Sequence, residues 1–117
     1  MIRGFQGDPG AGIHVAPTTA AQVIVSDCTI SGNASGVLVK PNSGVTAQVL
    51  LDRVLLMGNN TGIRADGGAI VRISQSVVTG NKVGLETVAA GQIMSLGNNA
   101  ISGNATNENP SETMQPK

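Results

Sequence analysis

Aromatic side chains and concentrated charge are nearly absent from this sequence. Its 117 residues include one Phe and no Tyr or Trp, and seven basic residues balance seven acidic ones. Proteins that bind nucleic acid usually carry a basic face or aromatic side chains on which bases stack. We therefore expect no nucleic-acid partner.

Long hydrophobic runs and cysteine pairs are missing as well. No stretch approaches 18 consecutive apolar residues, which predicts no membrane partner. The N-terminus lacks the basic-then-apolar pattern of a signal peptide, so the cytoplasm is the default expectation, with secretion left open if the chain is a fragment of a longer protein. Cys28 has no second cysteine to pair with and is interpreted as a small core residue.

A repeated dipeptide organises what is present. Four Gly-Asn dipeptides each follow an alternating apolar stretch, and in the first three of these a second glycine lies three residues after the asparagine. The dipeptides are Gly32-Asn33, Gly58-Asn59, Gly80-Asn81 and Gly103-Asn104, and the later glycines are Gly36, Gly62 and Gly84. Internal periods of this length are typical of solenoids.

Short alternating segments recur in a fixed order around these dipeptides. Val and Ile with period-2 alternation favour strands over helices. From one coil to the next, the length varies only between the first and second strands, at Val15 to Val23, Val39 to Val49 and Ala65 to Val71. Variation confined to one turn is typical of a stack whose other two turns are held by neighbouring coils.

The alternation also predicts which side chains point inward. Like residues lie on like in five columns, as coils stacked about 4.8 Å apart require. The predicted columns are Ile13/Val37/Ile63/Leu85, Val15/Val39/Ala65/Thr87, Val23/Val49/Val71/Met94, Val25/Leu51/Ile73/Leu96 and Ile30/Leu56/Val78/Ile101. The sequence thus predicts one all-β domain over 1–117: an irregular entry over 1–11, about four coils of three strands over 12–107, and a polar tail over 108–117 in which Thr113-Met114 could add a last short pairing.

Asn33, Asn59, Asn81 and Asn104 share one position of the repeat. Asparagine and glycine tolerate the positive φ of sharp turns, and stacked Asn side chains can hydrogen-bond as a ladder. We predict that these four residues form such a ladder. The alternative is N-glycosylation, because Asn33-Ala34-Ser35, Asn59-Asn60-Thr61 and Asn104-Ala105-Thr106 match the acceptor triplet.

The repeat resembles that of the right-handed parallel β-helix family, the fold of pectate lyases, polygalacturonases and phage tailspikes. The resemblance lies in the segments VSDCTISGNASGVLV (25–39), LDRVLLMGNNTGIRA (51–65), ISQSVVTGNKVGLET (73–87) and LGNNAISGN (96–104). It is most similar to short bacterial β-helix repeat proteins without an assigned role, some of them carried on mobile gene cassettes. The fold hosts many chemistries, so the resemblance implies an architecture and not a reaction.

The resemblance implies that an enzyme of this kind would carry clustered carboxylates on one outer face. Here the acids are scattered, and no column contains two of them. Asp27 with Arg53, and Arg64 with Glu86, are interpreted as cross-strand ion pairs. We therefore predict no catalytic, cofactor-binding or metal-binding residues, and an enzymatic role is the less favoured alternative.

Several apolar residues alternate toward the outside, where a solvated solenoid would carry polar ones. We predict that six of them form a lateral interface between copies of the chain, which is favoured over end-to-end docking: Ile24, Leu50, Leu55, Met57, Val77 and Ala100. Leu38 is expected to point outward from the first strand of its coil. The first functional hypothesis is a non-catalytic structural or interaction module that acts as a homo-oligomer. The alternative is a carbohydrate-binding or carbohydrate-processing domain that uses an outer sheet face.

Overall fold

The strands of this protein follow the repeat. The computed structural model describes residues 2–3, 11–42, 44–88, 91–96, 98–105 and 112–113, and these contain strands and turns but no helix. The strands are β1 (Ile2–Arg3), β2 (Ala11–Val15), β3 (Ala21–Ser31), β4 (Ser35–Val39), β5 (Ala47–Met57), β6 (Thr61–Asp66), β7 (Ala69–Ser74), β8 (Val77–Thr79), β9 (Val83–Val88), β10 (Gln92–Ser95), β11 (Ala100–Ile101) and β12 (Glu112–Thr113).

All pairings are parallel and link each coil to the next. The first strands of the coils form one sheet in the order β2-β4-β6-β9, and the second and third strands form the other, along β1-β3-β5-β7-β10-β12, with β8 paired to β5 and β11 paired to β8. The chain is an all-β parallel solenoid of about four coils, which confirms the predicted fold class. Two of the twelve strands, β3 and β5, run through the second and third positions without a break.

A left-handed residue divides β3 and β5 into their two parts. Asp27 and Arg53 have φ of 53° and 54°, and Gln75 has φ of 49° between β7 and β8. Such φ values are costly for residues with a side chain, and they turn the chain sharply without ending the hydrogen-bonded stack. The bend therefore separates the outer surface of the second strands from that of the third strands.

The register matches the predicted columns everywhere except in the second strand of the fourth coil. Leu85, Thr87 and Ile101, in the other two strands of that coil, still lie as predicted. Val23 pairs with Val49 and Val49 with Val71, as predicted. The predicted fourth members, Met94 and Leu96, are wrong, because Ile93 pairs with Val71 and Ser95 with Ile73. Ala100 still pairs with Val77, so the fourth coil carries one additional residue at its bend.

The core lies along the inward columns of the middle coils. Ile30, Val37, Leu51, Leu56 and Ile73 have no solvent exposure. Cys28 packs half-buried against this core, in the column that continues to Val54. Its position agrees with a small core residue.

Short strands lie near both termini. In β1, Ile2 pairs with Ile30 of β3, and in β12, Glu112 pairs with Met94 of β10. Apart from β1 and β12, most of the predicted entry and tail, including Met114, lies outside the described residues.

Candidate interaction surface

The structure places the four predicted asparagines in one column between the third strand of a coil and the first strand of the next. The Oδ1 of Asn59 accepts hydrogen bonds from the backbone N and the Nδ2 of Asn33, at 2.9 and 3.1 Å. Asn81 binds Asn59 in the same way at 2.9 and 3.0 Å, and Asn104 binds Asn81 at 2.9 Å from both donors. Each side chain therefore satisfies two donors of the preceding coil.

Each ladder amide also serves the backbone. The Nδ2 atoms of Asn59, Asn81 and Asn104 donate to the carbonyl oxygens of Ile30, Leu56 and Val78, at 3.2, 3.1 and 3.1 Å. These carbonyls belong to the third strand of the preceding coil. The ladder thus hydrogen-bonds these Gly-Asn turns to the third strand of the preceding coil. This accounts for the constant length of the Gly-Asn turn.

The two glycines of each motif are required for different physical reasons. Gly58 precedes Asn59 with φ of 67°, a conformation that L side chains rarely adopt. Gly62 is required by space, because a Cβ there would lie 2.6 Å from the carbonyl oxygen of Gly84 and 3.2 Å from the Nδ2 of Asn81. The second glycine of the motif lets the backbone pass close to the ladder.

Burial of the ladder bears on the glycosylation alternative. Asn33 and Asn59 are 0% and 3% exposed, and their amide groups are hydrogen-bonded. An enzyme could reach these two amides only after the coil opened. The folded geometry therefore favours the ladder over the acceptor site.

A second polar column, which is not among the five predicted inward columns, lies at the start of the third strands. The Oγ of Ser76 accepts from the backbone N of Val54 at 3.1 Å, and the Oδ1 of Asn99 accepts from the backbone N of Ser76 at 2.8 Å. The Nδ2 of Asn99 donates to the carbonyl oxygen of Ile73 at 2.8 Å. The change from Cys28 to Val54, Ser76 and Asn99 was the available sequence signal for this ladder.

The predicted ion pairs lie on two outer faces. Arg53 binds Asp27 through Nε and Nη2, at 2.8 and 3.0 Å, and Asp52 through Nη1 at 2.7 Å. Hydrogen bonds from Arg53 lower the pKa of the Asp27 carboxyl below its usual value, and those to Asp27 raise the pKa of Arg53. Arg64 lies 3.6 Å from Glu86 through Nε and Oε1. Sequence reasoning missed that Asp27 and Asp52, from adjacent columns, meet at one guanidinium.

The six predicted interface residues divide into two surfaces at the bend. Leu55, Val77 and Ala100 share one outward column of the third strands, and Met57 lies beside them. We call these four residues the third-strand patch. Met57 and Val77 are 42% and 38% exposed, Ala100 is exposed and Leu55 is half-buried.

The other two predicted interface residues lie on the second strands. Ile24 pairs with Leu50, and the column continues to the polar Arg72. Ile24 is 73% exposed and Leu50 is half-buried. Together they form the second-strand patch, which the ionic cluster around Arg53 at the bend separates from the third-strand patch.

Leu38 lies in an outward column, as expected, but it is buried rather than exposed to solvent. It lies between His14 and Arg64 in register, as predicted, but it is only 8% exposed. An apolar residue in an outward column can thus be covered by its surroundings. Leu38 does not contribute to either exposed patch.

A shallow depression accompanies the second-strand patch. Gln22, Ile24, Gln48, Leu50 and Arg72 line it, and the Nη1 of Arg72 lies 3.4 Å from the Oε1 of Gln48. The only aromatic residue of the sequence, Phe5, lies outside the described residues. Hydrogen-bonding groups and an apolar floor thus meet on this outer face.

The described residues contain neither a candidate metal site nor a candidate membrane-spanning helix. In this part of the chain no group of three or more His, Cys, Asp or Glu side chains could hold a metal ion. The same residues include no helix long and apolar enough to cross a membrane.

The stack, the ladder and the inward columns agree with a comparison to known families. The family model described as "right handed beta helix region" matches residues 5–106. The chain belongs to this family. No curated protein and no solved structure gave a significant match. Membership in the right-handed β-helix family confirms the architecture. It does not indicate a binding partner, so a partner has to be inferred from the surface residues.

Proposed function

We propose that this chain is a non-catalytic structural or interaction β-helix module that works as a homo-oligomer through the third-strand patch. The supporting observation is the exposure of Met57 and Val77, which lie on adjacent coils next to Ala100. Strands about 4.8 Å apart make such residues a continuous apolar surface. Apolar patches of this kind on a soluble protein usually mark an interface.

Burial of the third-strand patch would supply part of the free energy that offsets the cost of association. Fully burying a Val, Leu or Met side chain contributes roughly 1.5–3 kcal/mol. Leu55, Met57 and Val77 already lose part of their exposure within the chain, so each contributes less than this. Two copies of the patch nevertheless contribute several kcal/mol toward association.

Light scattering on charged variants tests this proposal. We expect a wild-type mass that is a multiple of the 11.7 kDa chain and a lower oligomer number for the double variant Leu55→Asp, Val77→Asp. The matched control is Asn42→Asp, Asn60→Asp, which adds the same charge at exposed positions away from the patch. A wild-type mass of one chain at tens of micromolar, or equal masses for both double variants, would refute it.

Carbohydrate binding is a second candidate, because the depression beside Ile24 combines two glutamine amides and a guanidinium with aliphatic side chains. Calorimetric titration with neutral and acidic oligosaccharides tests this candidate. Binding that disappears in Arg72→Ala and persists in Lys82→Ala would support it. No heat above dilution with any oligosaccharide would count against it.

A further inference from the structure

The first and fourth coils differ in three of the six inward columns. These columns have Val15, Val25 and Cys28 in the first coil and Thr87, Ser95 and Asn99 in the fourth. In the fourth coil, the Nδ2 of Asn99 donates to the Oγ of Ser95 at 2.9 Å. The other three columns are apolar in both coils, so the first coil carries apolar side chains in all six.

The first coil also leaves its core residues half covered. Val23 and Val25 are half-buried, whereas their neighbours in the second coil, Val49 and Leu51, are 1% and 0% exposed. Ile13, Val15 and Cys28 are half-buried in the same way. Within the described residues, the one strand that pairs with the first coil from the N-terminal side is β1, and it reaches only the third-strand part of β3.

The backbone of β3 presents an open edge at the same end. Ala21 N donates toward the second coil, to the Thr46 carbonyl oxygen at 3.3 Å. Successive residues of a parallel strand direct their N–H and C=O groups to opposite neighbours. The corresponding groups of Gln22, Ile24 and Ser26 therefore point away from β5, where the described residues provide no strand. Such a row of donors and acceptors is a template for pairing with another chain.

We propose that this edge of β3 pairs antiparallel with the same edge of a second copy, about a two-fold axis at Ile24. The two Ile24 residues would exchange N–H···O=C bonds, and Gln22 would pair with the partner's Ser26. The inward Val23 would then lie opposite the partner's Val25. A second copy matches both features of this end at once, because its own edge offers the same backbone groups and the same apolar core.

Two arguments favour this two-fold arrangement over head-to-tail stacking, in which the N-terminal end of one copy meets the C-terminal end of the next. One is the polarity of the two ends, and the other is that a two-fold contact forms a closed dimer. Head-to-tail stacking would place Val15 and Cys28 against the polar Thr87 and Asn99, which costs free energy unless the buried polar groups find partners. It would also generate an open filament, whereas a two-fold contact closes. The two-fold pairing buries apolar side chains against apolar side chains and leaves Thr87 and Asn99 away from the contact.

Exposure and charge around the edge agree with the pairing. Ile24 is 73% exposed, the highest value among the exposed large hydrophobic residues described, and the two Ile24 side chains would lie side by side on the outer face. Residues 11–31 contain a single charged side chain at neutral pH, Asp27, and Arg53 binds it on the same chain. The segment that would pair, 21–26, has no charged residue, so the pairing itself brings no like charges together.

Disulfide trapping tests the geometry directly. Directly opposed residues that exchange both hydrogen bonds in an antiparallel pair have Cα atoms about 5.5 Å apart, within the range that a disulfide spans. In a Cys28→Ser background, we expect Ile24→Cys to form a covalent dimer on oxidation. The matched control is His14→Cys, an exposed residue of the same coil on the other sheet, which should stay monomeric on a denaturing gel. Equal cross-linking of both variants, or of neither, would overturn the proposal.

A proline variant separates the edge from the third-strand patch. Gln22→Pro removes an edge N–H and leaves the bonds between β3 and β5, so it should halve the native mass, whereas Gln22→Ala should not. The double variant Leu55→Asp, Val77→Asp should retain the Ile24→Cys cross-link, because the edge does not use the third-strand patch. An unchanged mass for Gln22→Pro would overturn the pairing.

Hydrogen exchange on the wild-type protein decides the question if Gln22→Pro fails to fold. The amides of Ile24 and Ser26 should exchange slowly in the oligomer and faster on dilution. Fast exchange of both amides at every concentration would overturn the proposal.

Discussion

Replacing Asn81 with Leu tests whether the asparagine ladder holds the coils together. The Oδ1 of Asn81 accepts from the backbone N and the Nδ2 of Asn59 at 2.9 and 3.0 Å, and its Nδ2 donates to the carbonyl oxygen of Leu56 at 3.1 Å. Leucine can replace none of these bonds. The Nδ2 of Asn59 retains its bond to the carbonyl oxygen of Ile30, so the clearest losses are the Asn59 backbone N–H and the bond to Leu56.

The magnitude follows from burial. Asn59 and Asn81 are 3% and 2% exposed, so water cannot replace the lost partners without opening the coil. A buried donor or acceptor left unsatisfied costs about 1–3 kcal/mol, and two such groups give a loss of about 2–6 kcal/mol in the free energy of unfolding. A domain of this size loses roughly 4 °C in Tm for each kcal/mol.

Urea denaturation at matched protein concentration measures this loss, because oligomer formation also contributes to stability. The control is Asn42→Leu, an exposed position with no side-chain bond at stake, where we expect a change below about 0.5 kcal/mol. Asn81→Asp adds a second check, since it keeps Oδ1 and turns the donor toward Leu56 into an acceptor. Burial among acceptors raises the pKa of this new carboxyl, so the variant should be least destabilised below about pH 3.9 and should lose stability as the pH rises. Equal losses for Asn81→Leu and Asn42→Leu would refute the ladder argument.

Two further predictions concern the bend between the second and third strands. Gln75 has φ of 49°, so Gln75→Gly should raise the free energy of unfolding by up to about 1 kcal/mol and Gln75→Val should lower it by about 1–2 kcal/mol; equal effects in urea denaturation would contradict the left-handed assignment. Hydrogen bonds from Arg53 lower the pKa of Asp27, so this pair should stabilise the fold above the unfolded-state pKa of about 3.9, and the contribution should disappear as the pH falls through the lower folded-state pKa. NMR titration should show the Asp27 midpoint rising toward its ordinary value in Arg53→Gln, and an unchanged midpoint would count against the pair.

The register of the first three coils could be predicted from sequence because its determinants are local. Each Gly-Asn turn has a fixed length, and alternation on either side of it assigns every residue to the inside or the outside. Val49 and Leu51 follow from this pattern without knowledge of their neighbours. The same local chemistry placed the four ladder asparagines at one position of the repeat.

The fourth coil shows where local information ends. Ile93, Met94 and Leu96 are all apolar, so alternation alone allows either Ile93 or Met94 to point inward, and the more apolar pair Met94/Leu96 is the simpler choice. Pairing with Val71 selects Ile93 and leaves the polar Ser95 beneath Ile73. The stack decides here, because the hydrogen bonds of a whole strand outweigh the preference of one side chain.

By itself, the sequence determined the strand order, the ladder and the outward position of the apolar residues, since all three follow from period and turn chemistry. Only the tertiary structure decided how those outward residues group. Asp27, Arg53 and Gln75 carry no common sequence signal for a left-handed bend, yet their φ values place Ile24 and Leu50 on a different face from Leu55, Met57, Val77 and Ala100. The burial of Leu38 and the open edge of the first coil depend likewise on contacts between coils, which no single repeat can specify.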